Sequence, residues 1–226
     1  VALYGKNVEA GAGTNSWSDL LIATEKGGNQ RNVNHLLTNG SIPFEFYEDK
    51  VVNGDWSPAI QAMFDYAASV YPKLVRFYGK TGRTYEIKSK NWLVNDSEGW
   101  SVFRQPGNAC IVGSGYTLKL ADNFGDFGTL FHQDSRYPSV KGWEISGFTI
   151  DQNTRNNPKT LNNTSKNGRT IFWQWCVGNQ DITITNITVE DFIGVWFITQ
   201  GTTQRAIITH NKVTYNQSKT PHEDRT

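Results

Sequence analysis

The chain has 226 residues and a formal net charge of +1 from 22 basic and 21 acidic side chains, with 8 Trp, 9 Tyr and 12 Phe. That length allows one large β domain or two small ones. The scattered Lys and Arg advertise no nucleic-acid surface, and the apolar runs are too short to span a membrane.

His35, His132, His210 and His222 lack metal-ligand spacing, and no phosphate loop or Ser nucleophile elbow occurs, so no cofactor or metal is signalled. Cys110 and Cys176 both sit in apolar, strand-like contexts and are expected to be buried free thiols, a disulfide being the alternative. The chain starts at Val1 with no charged-then-apolar leader, so a secretion signal is expected to be absent or already removed. Aromatics amid abundant Asn and Thr suit a carbohydrate-handling surface, because sugar rings stack on indoles. Strands favour aromatics for their own reasons as well.

Residues 1–50 are punctuated by glycine and read as a leader or neck, with short helices expected at 17–24 and 33–37. Residues 51–95 carry the clearest local signals. Ser57 is placed to cap a helix and Pro58 to open it. Ile60, Met63, Phe64 and Ala67 then form one apolar stripe, and Pro72 ends the helix. Val75–Tyr78 and Thr84–Ile87 read as strands around the turn 79–82.

From about residue 100 the chain becomes a series of short β-units, assigned to 96–226. ISGFTI (145–150) aligns with ITNITV (184–189) and more loosely with 208–215. IFWQWC (171–176) aligns with VWFITQ (195–200), 24 positions on. Such a period is a solenoid signature, because one coil cannot bury its own interior and stacked coils can. Gly and Asn at the breaks turn the corners. Residues 153–168 are polar and apolar-poor, and are expected to protrude as a loop, either of the kind that lines grooves or as a plain surface insertion.

The segment GDWSPAIQAMFDYA followed by VRFYGKTGRTYEI resembles the opening module of pectate-lyase-like right-handed β-helix proteins. Gly54, Asp55, Ala59, Ile60, Gln61, Ala62, Gly82, Tyr85 and Ile87 match that pattern, and Ser57 stands for its usual Thr. The resemblance implies a mainly β fold: a right-handed parallel β-helix with an N-terminal capping helix. Taken with the polar stretch upstream, the chain is most similar to the N-terminal part of a phage tailspike. That resemblance implies a homotrimer in the virion tail, outside the cell. It also implies attachment to other tail proteins through the N-terminus, and a host cell-surface polysaccharide as ligand, degraded by hydrolysis or β-elimination. A non-catalytic virion adhesin and a bacterial lyase or epimerase are the alternatives. HEDRT follows the last β-unit without a closing cap, so a fragment of a longer protein is expected.

Aligning Ile150 with Val189 sets Asp151 against Glu190 at one corner of adjacent coils. Stacked strands lie roughly 4.7–4.9 Å apart, and carboxyls at about 5–5.5 Å suit a retaining glycosidase pair. Asp191 is the nearby alternative. Acidic residues are also favoured at strand-ending turns for structural reasons. Trp173 and Trp175 share parity and would form an exterior sugar-stacking platform if Phe172 and Cys176 point inward. Burial between coils is the competing reading. His210 stands where a general base could act, or is a solvated turn residue.

Overall fold

The computed structural model describes residues 2–4, 21–23, 30–32, 41–90, 92–95, 99–125, 127–157, 170–179, 181–192, 194–203 and 205–215. For 2–4, 21–23, 30–32, 92–95, 99–100, 173–179, 199–203 and 215 it describes the backbone alone. Strands β1 (Ala2–Tyr4), β2 (Leu21–Ala23) and β3 (Gln30–Asn32) form a small antiparallel sheet. Residues 21–23 are therefore strand where a helix was expected. Leu21, Ile22 and Ala23 each have a ladder partner in both β1 and β3, so the backbone is satisfied across strands rather than within a helix. The rest of 17–24, and all of 33–37, lies outside the described residues.

Strand β4 (Ser41–Pro43) leads through a 3-10 segment (Phe44–Lys50) to helix α1 (Ser57–Ser69). The strands that follow are β5 (Val75–Tyr78), β6 (Thr84–Ile87), β7 (Trp92–Asn95), β8 (Gly99–Gln105), β9 (Ala109–Val112), β10 (Thr117–Leu120) and β11 (Thr129–Gln133). After them come β12 (Glu144–Ser146), β13 (Thr149–Asp151), β14 (Thr170–Asn179), β15 (Ile182–Thr185), β16 (Thr188–Phe192), β17 (Phe197–Thr203), β18 (Ala206–Thr209) and β19 (Lys212–Tyr215). Sheet I runs β4-β5-β9-β12-β15-β18, sheet II runs β6-β10-β13-β16-β19 and sheet III runs β7-β8-β11-β14-β17. Every neighbouring pair in these sheets is parallel except the edge pair β7–β8. From β8 onward the chain visits sheets III, I and II in fixed rotation, one strand at a time. The molecule is thus mainly β, built of stacked parallel sheets, and compatible with a parallel β-helix.

Alternation along each strand sends one rank of side chains inward. Phe77, Ile111, Ile145 and Ile184 stack in register on sheet I, and Tyr85, Leu118, Ile150 and Val189 on sheet II. All are buried. On sheet III, Phe103, Phe131, Phe172 and Phe197 are register partners. The Phe103–Phe131 and Phe131–Phe172 rings stack at 5.2 Å and 5.3 Å between centroids. Such pairs add about 0.5–1.5 kcal/mol each beyond their buried area. This register corrects the expected alignment of 171–176 on 195–200 by one residue: Phe172 lies across from Phe197, 25 positions on. The extra residue falls where Val195, Trp196, Phe197 and Ile198 are all apolar and give no parity signal.

Helix α1 carries the expected buried stripe of Ile60, Met63, Phe64 and Ala67. Its start differs from expectation. Ser57 is the first helical residue, not the cap, and the capping carboxylate is Asp55. Asp55 Oδ1 accepts from the Ser57 N–H at 2.9 Å, the Ser57 hydroxyl at 2.6 Å and the Lys88 N–H at 2.9 Å. An ionised carboxylate accepts without donating, and its charge strengthens each of these bonds.

The turn from sheet I to sheet II is alike at each of its five occurrences among the described residues. Gly82, Gly115, Gly147, Asn186 and His210 occupy it with φ of 74°, 80°, 77°, 55° and 57°. Among the residues expected to protrude, 153–157 pack down in part: Asn153, Thr154 and Asn157 are buried, while Arg155 and Asn156 stay exposed. Asn153 Nδ2 donates to Leu120 O at 3.0 Å and Asn157 Nδ2 to Ala121 O at 2.7 Å, so the amides are a hydrogen-bonded ladder onto the preceding turn. Residues 158–168 lie outside the described residues. Cys110 is a buried free thiol, and the Cys176 side chain is outside those described.

Candidate functional site

The outer face of sheet II carries the polar residues that alternation turns away from the core. Leu118, Ile150 and Val189 face inward and are buried, so Lys119, Asp151 and Glu190 face outward. Lys119 is the register partner of Asp151, and Asp151 that of Glu190. The two carboxylates expected from the repeat therefore occupy equivalent positions on neighbouring strands. A second outward rank runs beside them, made of Thr84, Thr117, Thr149, Thr188 and Lys212.

Lys119, Asp151 and Glu190 floor a cleft of about 550 Å³, walled by Asn153, Arg155, Asn156 and Asp191 and ending at Lys212 and Thr214. Lys119 Nζ stands 3.8 Å from Asp151 Oδ2, and the Asn153 N–H donates to Asp151 Oδ1 at 2.8 Å. Glu190 is exposed, and its carboxyl has neither hydrogen bond nor ion pair among the described residues. Lys212 likewise makes no ion pair there.

Asp191 sits at a left-handed backbone position (φ 48°), at the register shift between β16 and β19. Its Oδ2 accepts from the Arg155 N–H at 2.9 Å, and its buried Oδ1 lies 3.6 Å from Arg155 Nε. Asp191 thus holds the wall to the floor. Asp122 does the same from the other side, accepting from Asn153 Nδ2 at 2.8 Å and Asn156 Nδ2 at 2.9 Å. Those two amide donors hold its pKa below the usual carboxylate range. No group of three or more His, Cys, Asp or Glu that could hold a metal ion occurs among the described residues.

Asp151, Glu190 and Asp191 therefore meet in one cleft. His210 does not join them: it is the exposed corner residue two positions before Lys212. Phe172 is inward, but the side chains of Trp173, Trp175 and Cys176 lie outside the described residues. Sequence reasoning missed Lys119, Arg155 and Lys212. The repeat does extend back to Leu118, which would have placed Lys119 opposite Asp151. Two additional residues before Gly115 interrupt that copy and mask its period. No protein-family model, curated protein or solved structure matches the chain, so the cleft is read from its own geometry.

Proposed function

We propose that the protein binds and degrades a host surface polysaccharide through the sheet II cleft, as a right-handed β-helix of the pectate-lyase-like, tailspike type. The observation that carries this reading is the Asp151–Glu190 register pair on the floor of an open polar cleft. Adjacent parallel strands put two carboxyls about as far apart as a retaining glycosidase needs. Right-handedness is the general rule for crossovers between parallel strands. The proposed context is a homotrimer on the virion tail, facing outside the cell.

A second reading, a non-catalytic glycan adhesin, is favoured by the pairing of Asp151 with Lys119 and of Asp191 with Arg155, since ladders of ion pairs also occur for structural reasons. The full-length protein incubated with purified capsular polysaccharides separates the two. Hydrolysis predicts oligosaccharide release without ultraviolet-absorbing unsaturated ends, and loss of release in Asp151→Asn and Glu190→Gln. Binding without release identifies an adhesin. Unsaturated ends identify a lyase. Sedimentation at the mass of three chains is expected for the trimer.

A further inference from the structure

We propose that Asp151 is the nucleophile of the cleft, Glu190 its acid/base, and Lys119 the residue that positions Asp151; this assignment rests on the hydrolysis reading above. The two carboxyls are equivalent by register but not by surroundings. Asp151 is held from two sides, by the Asn153 N–H on Oδ1 at 2.8 Å and by the Lys119 ammonium 3.8 Å from Oδ2. A group that must form a bond to one carbon along one line benefits from being fixed in this way. Glu190 is exposed, and its carboxyl makes no hydrogen bond or ion pair among the described residues. A group that gives a proton to a departing oxygen and then takes one from water needs that access.

In the first step Asp151 Oδ2 forms a bond to the anomeric carbon. The bond from that carbon to the glycosidic oxygen breaks, and that oxygen receives the proton of Glu190. In the second step Glu190 takes a proton from water. The water oxygen bonds to the anomeric carbon and the bond to Asp151 breaks, returning both carboxyls to their starting states. Lys119 touches neither the sugar carbon nor the departing oxygen in this scheme. It acts through Asp151, from the neighbouring strand β10.

The test uses the full-length protein, the capsular polysaccharide on which release is detected, and the 4-nitrophenyl glycoside of the released oligosaccharide. Glu190→Ala should still cleave the aryl glycoside, whose leaving group needs no proton, and azide should speed turnover and give a glycosyl azide of retained configuration. Asp151→Ala with azide should give the inverted azide. Lys119→Met should lower kcat on the order of tenfold or more with KM nearly unchanged, and Lys119→Arg should recover most of it. Azides of the opposite configurations overturn the role assignment while leaving hydrolysis standing. A Lys119→Met effect confined to KM makes Lys119 a substrate contact and overturns its positioning role. The azide readout does not depend on how Lys119→Met folds. A wild type that releases nothing, or only unsaturated ends, overturns the hydrolysis reading and this assignment with it.

Discussion

Asp55 is 8% exposed and is a hub for donors that are far apart in sequence. Burial works against its charged form. Hydrogen bonds from the Ser57 and Ser89 side chains and from the Lys88 and Ser57 N–H groups outweigh that, and its pKa falls below the usual carboxylate value. Asp55→Ala strips a helix cap and leaves buried donors unsatisfied. The expected loss is on the order of 2–3 kcal/mol, read as a drop in the urea midpoint; an unchanged midpoint would mean that water replaces the carboxylate at no cost. His132 is the opposite case. Burial disfavours its imidazolium and pushes its pKa from 6.5 down to about 4. The unfolded chain therefore binds a proton that the folded chain refuses. The stability from keeping His132 neutral is complete above pH 6.5 and drains away as the pH falls towards 4. The amount at stake is up to about 3 kcal/mol. His132→Gln should flatten the dependence of urea-unfolding stability on pH between 7 and 4.5. An equally steep dependence in the variant would assign the effect to another group.

At the scale of elements, the opening module closes one end of all three sheets. Sheet I is covered by β4. Sheet II is covered by the Trp56 N–H on Glu86 O at 2.9 Å and by Asp55 on the Lys88 N–H. Sheet III is covered by β7 and by Gln61, whose amide accepts from the Arg104 N–H at 3.0 Å and donates to Arg104 O at 3.2 Å. Gln61 thus stands in for a missing strand, which is how an exposed edge is blunted. Gln61→Leu should cost roughly 1–3 kcal/mol by orphaning those groups. The helix stripe, the bounds of β5 and β6, and the Asp151–Glu190 register were legible in the sequence, because each is written in apolar spacing that a few residues carry. The edge-covering roles of Asp55 and Gln61 were not, since Lys88 and Arg104 lie 33 and 43 positions away. The amides of 153–157 read as solvent-facing because side-chain polarity does not tell whether the partner is water or a neighbouring carbonyl. The corner column also discriminates: a Cβ on Gly147 would lie 1.9 Å from Gly113 O at φ 77°. Gly147→Ala should cost several kcal/mol. Asn186→Gly, at the next corner, should leave the melting temperature within a few degrees of wild type.

At the scale of the molecule, stability in stacked parallel sheets is shared between neighbouring strands, so it should vary from one end of the stack to the other. The interior turns have ring stacks on both sides: Phe131 contacts Phe103 and Phe172, and Phe64 of α1 lies 6.3 Å from it, edge-on. The last turn has ring contacts on one side only among the described residues, Trp196 lying 6.3 Å from Phe172 and 6.0 Å from Phe197. Ile208 continues the inward rank of Ile111, Ile145 and Ile184, yet it is 38% exposed, and Ile207 beside it is 56% exposed. Backbone hydrogen bonds that lack buried apolar cover open locally at low cost. Native-state amide exchange should therefore be slowest at Leu118, Phe131, Ile145 and Ile150 and fastest along β18 and β19. The gradient should persist in a variant such as Glu190→Gln, because it follows packing and not the chemistry of the cleft. Exchange along β18 as slow as along β12 would mean that the rank ending at Ile208 is covered in solution. Dilution would then decide by what: protection lost on dilution identifies contact between copies of the chain, and protection that survives identifies cover from within it.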